Sequence, residues 1–271
     1  MNYAICNETF ENWDHPRVCA RAAELGYTGL EVAPFTLAPL ITDVPAARRA
    51  ELRRQAEAAG VRIIGLHWLL AKTTGFHLTS PDAAVRRSTG EYLAELTRAT
   101  ADLGGDLMVL GSPFQRNLDK GVTTAEGDDR ATDTLSYCLK ALEDCRVTLC
   151  LEPLTTAETN YLTTAAEGTA LCRRIAHPFV KLHLDVKAMS SEPAPVADTI
   201  RANAEFFRHF HANDPNKRGP GFGAVDFKPI FRALRDVNYT RWVSVEVFDY
   251  TPDPDTIARE SIRYMRECDR E

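Results

Sequence analysis

Residues 147–153 read VTLCLEP, a short apolar run rich in strand formers that closes on a carboxylate, Glu152. The same shape recurs three times downstream. VKLHLDV (180–186) carries Asp185, FFRHFHAND (206–214) carries His211, and WVSVEVFD (242–249) carries Glu246. Working outward from these runs, eight strands are expected. They are Tyr3–Cys6, Gly29–Val32, Arg62–His67, Asp106–Leu110, Val147–Glu152, Val180–Asp185, Phe206–His211 and Trp242–Val247.

Amphipathic segments fill the gaps. Arg17–Leu25 stops at Gly26 and Ala46–Ala59 stops at Gly60, both in the manner of a glycine C-cap. Ala83–Leu103 is the longest and ends in Gly104-Gly105. Asp128–Cys145, Thr164–Ile175, Phe227–Val237 and Asp255–Arg266 repeat the pattern, with a weaker segment at Val196–Asn203. Strand–helix alternation without a composition break predicts an α/β fold, a single (β/α)8 TIM barrel forming one domain over residues 1–271. The competing open, doubly wound sheet is disfavoured because no Gly-rich dinucleotide fingerprint follows the first strand.

The 271 residues approach the roughly 250 of a one-domain barrel. A composition of 44% hydrophobic and 26% charged residues suits a globular protein with a substantial core. The net charge of −6 supplies no basic footprint for nucleic acid or an anionic membrane. MNYAICNETF lacks the pattern of a secretory signal, and no run nears the roughly 18 apolar residues of a membrane span. Seven scattered cysteines without metal-binding spacing read as free thiols in a reducing cytosol. A cytoplasmic enzyme is expected.

Parallel barrels build active sites where strands end and βα loops begin. Glu152, Asp185, His211 and Glu246 fall at four consecutive strand ends, so they should share one rim. Three buried carboxylates would repel one another and raise each other's pKa values without a cation. A divalent metal answers that, and an oxygen-rich set with one imidazole suits Mn2+, Mg2+ or Co2+.

LEP with Glu152, HLD with Asp185, HAND with His211 and VEVF with Glu246 resemble the xylose-isomerase-like barrel superfamily. The match is to its sugar isomerase and epimerase branch, typified by ketose 3-epimerases, and includes YTGLEV early on and PGFGAVDF after His211. The resemblance implies that the four residues bind one metal, commonly Mn2+. It also implies that Glu152 and Glu246 form the acid/base pair on opposite faces of a small ketose or keto-polyol. A metal-stabilised enediolate, deprotonated from one face and reprotonated from the other, inverts a centre. One base working between adjacent carbons would give aldose–ketose isomerisation instead. A small-molecule sugar substrate and a homo-oligomer are further implications, with no nucleic-acid or membrane partner.

Glu158 matches a family glutamate that contacts the substrate end. The pattern then breaks: Ala188 stands where those epimerases carry histidine, with Lys187 beside it, and Lys217 stands where they carry arginine, followed by Arg218. Lys187, Lys217 and Arg218 are expected substrate contacts. His67, at the end of the third strand beside Trp68, and Arg116, after the fourth, are expected there too, and Glu31 has the same standing as His67. His183, one layer below Asp185, is expected to pack or support it, and Asp226 to cap a helix.

Two other readings share these residues. The same metal could serve a keto-sugar or ketoinositol lyase or dehydratase that expels a β-leaving group, a reading the Lys187-Ala188 pair keeps open. A non-catalytic sugar-binding subunit is the other, opposed by carboxylates at both ends of the proposed proton relay. The superfamily's abasic-site endonucleases, with three zinc ions, would need more histidines at the strand ends than seven in the whole chain supply.

Overall fold

The computed structural model describes residues 1–270. Among the described residues the eight strands are β1 (Asn2–Cys6), β2 (Gly29–Val32), β3 (Arg62–Leu66), β4 (Leu107–Leu110), β5 (Thr148–Leu151), β6 (Val180–Asp185), β7 (Phe207–Ala212) and β8 (Trp242–Val245). Each pairs in parallel with its sequence neighbours, and β8 closes on β1, giving one closed (β/α)8 barrel. Register places Cys6 beside Glu31 and Asp185 beside His211. Glu152 and Glu246 lie one residue beyond their strands rather than at the strand ends, so their carboxylates rise into the rim.

Ten α-helices among the described residues accompany the strands: α1 (His15–Leu25), α2 (Ala46–Ala59), α3 (Ala83–Asp102), α4 (Thr124–Ser136), α5 (Leu139–Cys145), α6 (Ala165–Ile175), α7 (Val186–Met189), α8 (Val196–Ala202), α9 (Phe227–Asp236) and α10 (Pro254–Asp269). Gly26 and Gly60 end α1 and α2 in left-handed conformation, φ 93° and 86°, the geometry glycine adopts without steric penalty. Asp226 caps α9 by accepting the Lys228 amide.

The segment expected as one helix over 128–145 is two. It starts earlier, because Thr123 and Glu126 form a reciprocal capping box, and it breaks at Tyr137-Cys138. Residues 186–189 were not expected to be helical. Asp185 caps that turn by accepting the Ala188 amide.

Alternate residues of each strand point outward to the helices or inward to the barrel axis. Outward Leu149, Leu151, Leu182 and Phe210 join the continuous apolar layer under the helices. The inward layer at the N-terminal end is sealed by Leu107, Val109 and Cys150 against Trp242. Above that seal the interior turns polar. Among the described residues no two cysteines form a disulfide, and no helix is long and apolar enough to cross a membrane.

Candidate active site

Glu152, Asp185, His211 and Glu246 meet at the C-terminal mouth of the barrel, each at most 4% exposed. Suitable donor atoms of Glu152, His183, Asp185 and His211 all lie within 4.8 Å of one another. Glu246 falls outside that group and clusters with Cys6, Glu8 and His67, while its Oε2 lies 3.1 Å from His211 Nδ1.

The other face of the same imidazole is held from below. Its Nε2 lies 2.9 Å from Glu31 Oε2, which also faces His209 Nε2 at 3.1 Å. A carboxylate on Nε2 fixes the ring, the usual support of a metal-bound histidine. With Glu246 at Nδ1, the two carboxylates hold the ring's pKa well above its ordinary value despite burial. Burial alone would raise the Glu31 pKa, yet His209 and His211 hold it well below the ordinary carboxylate range.

Asp185 is fixed on both oxygens. Oδ1 accepts the Ala188 amide at 2.7 Å, and Oδ2 accepts the Asn213 side-chain amide, while Asn213 Oδ1 takes the Lys187 amide at 2.8 Å. Gly111 makes room for Glu152, since a Cβ there would lie 1.5 Å from Glu152 Oε2.

The electrostatics reflect crowding. Burial, then the neighbouring Glu246 and Asp185, push the Glu152 carboxyl well above its usual range. Burial acts on Glu246 too, but His211 and the indole of Trp68, which donates to Glu246 Oε1 at 2.7 Å, outweigh it and lower that pKa. Among the described residues the buried His183 ring nitrogens have no hydrogen-bond partner, and Nε2 faces Glu152 Oε1 from 3.8 Å. Repelling carboxylates, an oriented imidazole and an unpartnered one are what a divalent cation would satisfy, so the residues fit such an ion.

A model of the xylose isomerase-like TIM barrel family matches residues 19–268. The chain belongs to that family. Among relatives of this xylose isomerase-like barrel, the D-psicose 3-epimerase of Agrobacterium fabrum is 30% identical over 236 residues, covering 84% of this chain and 77% of its own. The D-psicose 3-epimerase of Ruminiclostridium cellulolyticum is 27% identical over 255 residues, covering 91% and 82%. A crystal structure of a D-psicose 3-epimerase in the presence of D-fructose superposes with a TM-score of 0.86 at 26% identity, covering 99% of each chain.

Above the carboxylates of this xylose isomerase-like barrel lies a cavity of about 340 Å³, walled by Trp68, Phe114, Leu154 and Phe248 and floored by Glu152 and Glu246. Glu158 lines it and accepts from Lys187 Nζ at 2.7 Å; the same ammonium lies 4.9 Å from the centre of the Phe248 ring. Those two expected substrate contacts therefore act as a pair.

Other expected contacts are engaged elsewhere. Arg116, expected to contact the substrate, is 1% exposed, and its guanidinium donates to the carbonyls of Ser112, Leu110 and Glu152. It ties the ends of β4 and β5 together. His67 is wholly buried and turned toward Glu8, 2.9 Å away. Arg218 donates to Asp249 and Thr251, bracing the loop after β8. Lys217 is exposed with φ 70°, and its carbonyl accepts the Phe248 and Asp249 amides at 2.8 and 2.9 Å, so its backbone shapes the Phe248 wall.

His209 and Asn213 were missed. Both follow the alternation that carries His211, two residues to either side, and that period was the available signal. His183 reaches the ligand cluster itself rather than only packing beneath it.

Proposed function

We propose that this enzyme is a divalent-metal-dependent epimerase or isomerase of a small ketose or keto-polyol. One observation carries the reading: two glutamates, Glu152 and Glu246, flank one cavity from strands three places apart around the eight-stranded ring, beside a buried cluster of possible metal ligands. Two carboxyls on opposite sides of one cavity can serve as an acid and a base.

Glu152, Asp185, His211 and Glu246 would hold the cation, with Mn2+ the first choice for this donor set and Mg2+ or Co2+ alternatives. When bound, it would neutralise the carboxylates and polarise a sugar carbonyl, acidifying the adjoining C–H. One of Glu152 and Glu246 takes that proton from one face, and the other delivers one to the opposite face. The Trp68 indole keeps the Glu246 carboxylate aimed, and Arg116 anchors the Glu152 backbone. The apolar walls exclude water, and the Glu158–Lys187 pair offers an acceptor and donors to the hydroxyl end of the sugar.

The deciding experiment incubates the purified protein with Mn2+ and a panel of ketoses in D2O and follows C–H exchange and product stereochemistry by NMR. The expected result is deuterium at one carbon with inversion there, and a loss of about 100-fold or more in Glu246→Gln and Glu152→Gln. No exchange with any ketose, or an unsaturated product in its place, would overturn the assignment.

A further inference from the structure

A second cavity, of about 690 Å³, opens over the loops that follow β1, β2, β3 and β8, and it is about twice the size of the one above the paired glutamates. The two share Trp68 and Lys72 as walls. Trp68 holds a left-handed backbone, φ 54°, rare for a bulky residue. Its indole stacks near parallel on Phe248, 5.7 Å between centres, on the side of the smaller cavity, and tilts against Phe35 at 5.7 Å on the side of the larger. It therefore partitions one mouth into two chambers.

The smaller chamber, near the lower end of the roughly 300–1,000 Å³ of small-molecule sites, accommodates a monosaccharide. The larger is unnecessary for such a substrate. Its lining differs in kind. The Trp13 ring carries the Arg17 guanidinium 3.5 Å from its centre and the Phe35 ring the Lys72 ammonium at 3.9 Å, with Tyr250 and the exposed Glu11 beside them. The Glu8 carboxylate is buried and turned to His67. A pyranose presents a C–H face that packs on a ring such as Tyr250 and hydroxyls that donate to Glu11 and accept from Lys72, so this mixture suits a sugar ring better than a purely apolar group.

We propose that the larger chamber is a second sugar subsite, so that the substrate is a keto-sugar bearing a glycosidically linked pyranose, with the reacting ring over Glu152 and Glu246 and the pyranose beyond Trp68. The inference rests on the epimerase or isomerase reading above and names its substrate class. It requires no chemistry beyond that reaction.

The test compares a free ketohexose, a pyranosyl-ketohexose disaccharide and an aryl glycoside of the same ketose with the Mn2+-loaded protein, reading C–H exchange in D2O by NMR and, separately, binding by calorimetry. The disaccharide is expected to show a kcat/KM at least tenfold above the free ketose. Trp13→Ala should erase that advantage, lowering the disaccharide value at least tenfold more than the ketose value, and Glu11→Ala, at an exposed position, should act in the same direction without a folding risk. Equal or poorer use of the disaccharide, a preference for the aryl glycoside, or variants that weaken both sugars alike would overturn the proposal. If no sugar exchanges, the epimerase reading fails, and calorimetry still decides the subsite: disaccharide binding lost in Trp13→Ala supports it, and binding indifferent to Trp13 and Glu11 overturns it.

Discussion

His211 Nε2 sits 2.9 Å from Glu31 Oε2, while Nδ1 of the same ring sits 3.1 Å from Glu246 Oε2. One imidazole thus couples a carboxylate inside the barrel to one at its rim. Removing the Glu31 charge frees the ring and its tautomer. Glu31→Gln should weaken Mn2+ binding by about 10- to 100-fold, the usual effect of losing such a support. Calorimetric titration of the metal-stripped protein measures this; an unchanged Kd would show that Glu31 serves only packing.

Gly111 tests how closely the site is fitted. Its backbone is not in the left-handed region, so alanine adds only a Cβ, directly on the Glu152 carboxylate. Gly111→Ala should therefore preserve the circular dichroism spectrum while displacing Glu152, with a loss in kcat of about 100-fold if Glu152 has the proposed acid/base role. A fully active variant would contradict the placement of Glu152.

Arg116 distinguishes a structural from a substrate-binding arginine. Its loss leaves the carbonyls of Ser112, Leu110 and Glu152 without their charged donor. Arg116→Met should destabilise the protein by about 3 kcal/mol, read from chemical denaturation. If it served the substrate instead, stability would hold while KM rose.

The Glu158–Lys187 pair carries a pH signature. Burial works against both charges, but Lys187 holds Glu158 below its ordinary pKa, and Asp185 and Glu158 hold Lys187 above its own. A carboxyl with a depressed folded pKa contributes stability above its unfolded value and loses it as pH falls through the folded value. Glu158→Gln should therefore lower Tm by a steady margin from about pH 6 to about pH 9, with the gap closing below about pH 4. Melting curves across that range decide it, and a gap that persists in acid would mean that the substitution disturbs packing rather than charge.

Strand–helix alternation and the four polar strand ends were legible because both follow from local periodicity: apolar residues alternate along a strand, and a parallel barrel sends every strand end to the same rim. Glu152, Asp185, His211 and Glu246 could be gathered on that basis alone. Long side chains in βα loops carried no comparable signal. Arg116 and Arg218 have the reach to meet either a sugar or a neighbouring loop, and packing directs them to Leu110, Glu152 and Asp249.

The sequence by itself thus determined the barrel and the ring of candidate ligands. Only the tertiary structure decided what stands behind and around that ring. Glu31 is 180 positions from His211 along the chain, and Trp68 is 178 from Glu246. The physical reason is closure: when β8 pairs with β1, residues from distant loops are pressed into one small interior, where a buried charge persists only beside a partner that no local pattern names.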